Sequence, residues 1–171
     1  MRLHTADPEL EELCRTVEAK LSAYNECDEI DLTVSCRDTF EDLEGATVRA
    51  LRETYAVYRA DVGDVLINRA EFFKQDMDLQ EYILAHEIGE VVCKQVGPPV
   101  EEEPPPFRLS CDTWADWYTC KWGYLESALR LRATGYGSEY CEYLKLWESV
   151  SDFRERMLPW YHRKVSGQLN E

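Results

Sequence analysis

A chain of 171 residues with 44% hydrophobic and 12% aromatic content can bury the core of a single domain spanning 1–171. Its formal net charge of -15, from 34 acidic against 19 basic residues, has the wrong sign for direct binding to a nucleic-acid backbone. No apolar run approaches the length that a bilayer demands, so no membrane role is expected either.

The opening, "MRLHTADPELEELC", carries charge within its first turns and lacks the pattern of a secretion signal. Asp7-Pro8 reads as an N-cap with proline at the first helical position. Leu10, Leu13, Val17, Leu21 and Tyr24 then recur at helical spacing, which predicts a first helix to about residue 24. His4 falls before it, in a terminus expected to fray. "EIDLTVSC" alternates apolar and polar residues from Ile30 to Cys36, as a half-buried strand does. Residues 37 to 54 fit a helix end, a turn or a strand equally. Two β-rich runs, 55–60 and 64–69, flank "DVGD", whose glycine permits a tight turn, so a hairpin is expected.

The next helix carries "LQEYILAHEIGEVVC", residues 79–93, with Asp78 placed to cap it and Gly97-Pro98-Pro99 to stop it. "GPPVEEEPPPF" follows. It holds five of the seven prolines of the chain and three successive glutamates, and reads as an extended surface loop, 98–106 at its centre. A third helix is expected from near Ser110 to before Gly135, and a fourth over roughly 138 to 158, whose aromatic residues read as core packing. The seven cysteines are scattered and form no CxxC pair. They point to a reducing cytoplasm in which most thiols act as small core hydrophobes. The fold class expected from these elements is α+β: a small twisted sheet with a hairpin, packed on a buried helix plus two or three others.

The helix 79–93 poses the chemical question. Leu79, Ile83, His86, Glu90 and Cys93 share one stripe, and Leu84, Ile88, Val91 and Val92 form a neighbouring apolar surface, so burial extends around much of the helix. A carboxylate inside such a stripe requires pairing, protonation or a metal. His86 and Glu90 stand one turn apart, close enough to face one ion, and Glu87 points to the adjacent side, where a general base acting on metal-bound water belongs. That is the logic of H-E-x-x-H, written here H-E-I-G-E. The plainer alternative is a hydrogen bond between His86 and Glu90 at a helix interface. "SCDTWADWYTC" offers Asp112 one turn before Asp116, and either carboxylate could complete a metal site. Cys93 and Cys111 read as buried thiols rather than ligands, and His162, in the basic "PWYHRK", as a surface residue.

The succession of "DVLINRAEFF", "LQEYILAHEIGEVV", a loop and "DTWADWYTC" resembles the ImmA/IrrE family of zincin-like metallopeptidases. There a strand of the form ILINP precedes LAHELGH, and a helix of the form E-x-x-A-N/D-x-F-A supplies the third metal ligand. Leu84-Ala85-His86-Glu87-Ile88-Gly89 matches the first motif, Ala115-Asp116 falls on the Ala-Asn/Asp pair and Tyr118 on the Phe. The resemblance covers roughly residues 50 to 125. It implies a zincin-like domain in which Asp112 takes the ligand position beside His86 and Glu90, Glu87 is the catalytic glutamate, and Asp116 meets helix packing or a supporting partner. It further implies a cytoplasmic metallopeptidase of the kind that accompanies repressors in mobile genetic elements. Its substrate would be a regulatory protein, such as a basic DNA-binding repressor, cut at one site. Glu90 stands where the family has its second histidine and Asp112 where it has glutamate. Two carboxylates nearly neutralise a divalent ion, which mutes its acidity. They tilt preference from zinc towards manganese or iron, with zinc still the first expectation. The rival expectations are a non-catalytic binding or regulatory module on the same scaffold, and a small-molecule hydrolase using the same ion.

Overall fold

The computed structural model describes residues 1–39, 43, 54–96 and 111–132, and of residues 111–113 and 132 the backbone alone. The loop 98–106, the helix expected over 138 to 158, His162 and most of the ambiguous stretch 37 to 54 lie outside the described residues.

Four strands form one mixed sheet: β1 (Arg2–His4), β2 (Asp31–Arg37), β3 (Ala56–Arg59) and β4 (Asp64–Asn68). Their order is β1-β2-β4-β3, with β1, β2 and β4 parallel and β3 antiparallel to β4 at one edge. The helices are α1 (Glu11–Leu21), a single turn α2 (Arg69–Phe72), α3 (Met77–Val96), α4 (Cys111–Thr119) and α5 (Leu125–Arg132). The architecture is α+β, with α3 lying against β3, α1, α4 and α5. Among the described residues no helix is long and apolar enough to cross a membrane.

Local chemistry explains most of these boundaries. The period-2 pattern of "DLTVSCR" puts Leu32 and Val34 into the core and leaves Asp31 and Thr33 exposed along β2. All five residues of β4 are buried, as suits a strand with a neighbour on each side. Gly63 sits at φ 77 in the turn between β3 and β4, a conformation that side chains other than glycine rarely adopt. Buried Asp64 forms a two-point ion pair with Arg59 across the same hairpin.

Several local expectations are corrected. The first helix begins with a 3-10 turn, Pro8–Leu10, and ends at Leu21; the Asp7 carboxylate does not cap it but accepts the Cys36 amide at 2.8 Å, tying the helix entry to β2. His4 does not fray. It belongs to β1, and its Nε2 lies 2.9 Å from Asp31 on β2. Helix α3 is capped by Asp76 rather than Asp78: the Asp76 carboxylate accepts the Leu79 amide at 3.1 Å. Arg130 and that amide together hold the Asp76 carboxyl below the usual range. The third predicted helix is two helices. A π-helical turn, Cys120–Tyr124, with Gly123 at φ 91, separates α4 from α5.

Candidate metal centre

Helix α3 buries fourteen of its twenty residues, so its polar side chains sit in the interior unless they lie at a rim. What positions them is the crossing with α4. A Cβ at Gly89 would lie 2.9 Å from the Ala115 Cα, 3.0 Å from its carbonyl oxygen and 3.1 Å from its Cβ, so the two backbones touch where both residues are small. One residue past Ala115, Asp116 is thereby delivered to the flank of α3.

Asp116 is fully buried. One of its carboxylate oxygens lies 2.9 Å from His86 Nδ1 and accepts the Tyr82 hydroxyl at 2.6 Å. Tyr82 precedes His86 by one turn, and their rings stand 6.0 Å apart. Within α4 the Thr119 hydroxyl donates to the Asp116 main-chain carbonyl at 2.9 Å. A neutral histidine that donates from Nδ1 carries its lone pair on Nε2, and a carboxylate on Nδ1 is the usual outer partner of a metal-bound imidazole.

Glu87 turns the other way, towards the sheet. It is buried, and its Oε2 accepts the Tyr58 amide at 2.6 Å. The register explains why that amide is presented to it. In an antiparallel pair, alternate residues face the partner strand. Asn68 donates to the Tyr55 carbonyl at 2.9 Å, which places Tyr58 in the other set, its N–H directed to the open edge. Glu87 therefore rests against the edge strand.

Glu90 lies at a rim. Its side chain is 22% exposed, and Lys94, one turn further on, donates to it at 2.9 Å. The same ammonium stands 4.6 Å from the centre of the Tyr58 ring. Of the sequence-derived residues, His86 thus meets α4, Glu87 meets β3 and Glu90 meets Lys94, all from the interior turns of α3, and the Asp112 side chain lies outside the described residues. Among the described residues no three ligating side chains form a cluster that could hold a metal ion.

Sequence reasoning missed three partners: Tyr82 for Asp116, the Tyr58 amide for Glu87, and Lys94 for Glu90. The first and third were readable, because Tyr82-His86 and Glu90-Lys94 are both i, i+4 pairs. The second required the strand register. The cysteines whose side chains are described, Cys14, Cys27, Cys36, Cys93 and Cys120, are thiols, and all but Cys36 are buried. No family model, curated protein or solved structure matches the chain.

Proposed function

We propose that the chain is a metal-dependent, peptidase-like protein on a zincin-type scaffold, of the kind the ImmA/IrrE resemblance implies. The observation that carries this reading is the buried contact of His86 Nδ1 with Asp116, reinforced by Tyr82. A histidine meant only for packing does not need a fully buried carboxylate, whose desolvation is costly. A histidine meant as a ligand needs its tautomer and ring plane held.

The donor set, His86 with Glu90 and Asp112, fits a divalent ion of the zinc, manganese or iron type. The present partner of Glu90 does not preclude an ion: breaking an ion pair with a lysine 37% exposed costs about 1 kcal/mol. When bound, the ion supplies Lewis-acid polarisation of a carbonyl and acidifies water. The residues of the chain do the rest. Asp116 and Tyr82 orient the His86 ring. Glu87 holds the proton taken from water, with the Tyr58 amide fixing one of its oxygens. The proposed substrate is a regulatory protein such as a basic DNA-binding repressor, suited to a surface of net charge -15, and the proposed compartment is the cytoplasm.

A second reading, a binding module without catalysis, is favoured by one observation: Glu87 and Glu90 are both satisfied from within the chain, by the Tyr58 amide and Lys94. Metal analysis of the full chain, purified without chelators and offered zinc, manganese and iron, separates the two. The enzyme reading expects stoichiometric metal that is lost in His86→Ala and kept in Glu87→Gln, with cleavage of a basic repressor protein ended by Glu87→Gln although its metal remains. Wild-type protein that takes up no metal leaves the binding module.

A further inference from the structure

Lys94 has two seats at the candidate centre. Its ammonium donates to Glu90 at 2.9 Å and lies 4.6 Å from the Tyr58 ring centre, and Glu90 follows His86 by one turn of α3. The i, i+4 spacing keeps the ammonium over the carboxylate with no rearrangement of the helix. The aromatic face offers it a place to remain if the carboxylate is taken by another cation. Tyr58 also donates its amide to Glu87, so the lysine touches the same strand residue that holds the proposed base.

We propose that Lys94 is a tethered cation competing with the divalent ion for Glu90, so that this side chain sets the metal affinity of the centre. The inference rests on the metal reading given above. Metal arrival at Glu90 requires the ammonium to withdraw, and the withdrawn charge, still close to the ion, repels it. Both effects lower affinity, and both depend on charge rather than on the shape of the side chain. A chain that keeps two carboxylates among its ligands would otherwise hold hard divalent cations indiscriminately. A resident ammonium raises the threshold, so that only an ion gaining strongly from the His86 nitrogen is retained. Lys94 is thus a positioning residue for Glu90 and a determinant of how tightly the centre holds a divalent ion.

The test is titration of the full chain with zinc and with manganese, by calorimetry or competition with a chelating dye, in wild type, Lys94→Gln, Lys94→Arg and His86→Ala. Lys94→Gln is expected to bind both ions about tenfold more tightly, the effect of removing one charge at close range, and Lys94→Arg to stay within about twofold of wild type. His86→Ala is expected to lose binding. Because Lys94 is exposed, the Lys94 variants are expected to melt like wild type, and Lys94→Met serves as a second neutral variant should Lys94→Gln not fold. Two results overturn the inference while leaving the metal reading intact: His86-dependent binding that is equally tight in wild type and Lys94→Gln, or Lys94→Arg that tightens as Lys94→Gln does. Absence of binding in both wild type and Lys94→Gln removes the metal reading and this inference with it.

Discussion

Replacing Gly89 by alanine tests the crossing that builds the site. The new methyl would meet the Ala115 Cα at 2.9 Å and its carbonyl oxygen at 3.0 Å, both backbone atoms. Carbon atoms in contact prefer a separation of about 3.5 to 4.0 Å, so the helices must part by several tenths of an ångström. Overpacking of this kind costs about 1 to 3 kcal/mol, and a backbone neighbour places this site near the upper end. Alanine recovers about 1 kcal/mol of helix propensity over glycine. The net expectation is about 2 kcal/mol of destabilisation, or a fall in melting temperature of roughly 4 to 8 °C for a chain of this size. Urea unfolding followed by circular dichroism reads it. Adding Ala115→Gly should relieve the loss only in part, because it removes the 3.1 Å contact and leaves the two backbone contacts in place. A Gly89→Ala protein as stable as wild type would show that α3 and α4 do not meet backbone to backbone, and the placement of Asp116 would lose its cause.

Two further outcomes follow from the buried groups. Asp116→Ala removes the acceptor shared by His86 and Tyr82 and should destabilise the fold by about 2 to 5 kcal/mol, whereas Asp116→Asn keeps an acceptor oxygen and should cost about 1 kcal/mol; equal losses in urea unfolding would count against a hydrogen-bonded role. Burial first, then neighbouring Glu18, pushes the Cys14 thiol up to about 11, and burial followed by Glu26 pushes Cys27 up to about 12. Both are protonated at pH 8, so alkylation of these two in native protein should be far slower than in urea by mass spectrometry, and equal rates would refute their burial.

The legible part of the fold was the part with a repeating period. Helix α3, the hairpin of β3 and β4, and the alternation of β2 each advertise themselves over several residues, and the structure places them within a few residues of their expected limits. Strand β1 has three residues, too few to show alternation, and is held by pairing with β2 that no local signal announces. The choice between Asp76 and Asp78 as cap was equally invisible, since both are aspartates near the first turn and only the amide geometry decides. Gly123 was a visible glycine, but an isolated glycine in an apolar helical pattern reads as tolerated until a positive φ shows the chain turning there.

The candidate site divides along the same line, and for one reason. Intrahelical spacing is a property of sequence, so His86, Glu87 and Glu90 could be grouped, and the i, i+4 partners Tyr82 and Lys94 were within reach of the same logic. Which carboxylate of "DTWADWY" meets His86 is a property of how two helices cross. That crossing is set by the smallest residues of each motif rather than by its polar ones. Gly89 admits the backbone of α4 at Ala115, and the residue after Ala115 then reaches His86 and Tyr82. The glycine and alanine of the two motifs, which carry no chemistry, therefore decide where the chemistry lies. This is also why a charge-preserving change one turn away, such as Lys94→Arg, should leave the centre intact while a single methyl at Gly89 should disturb it.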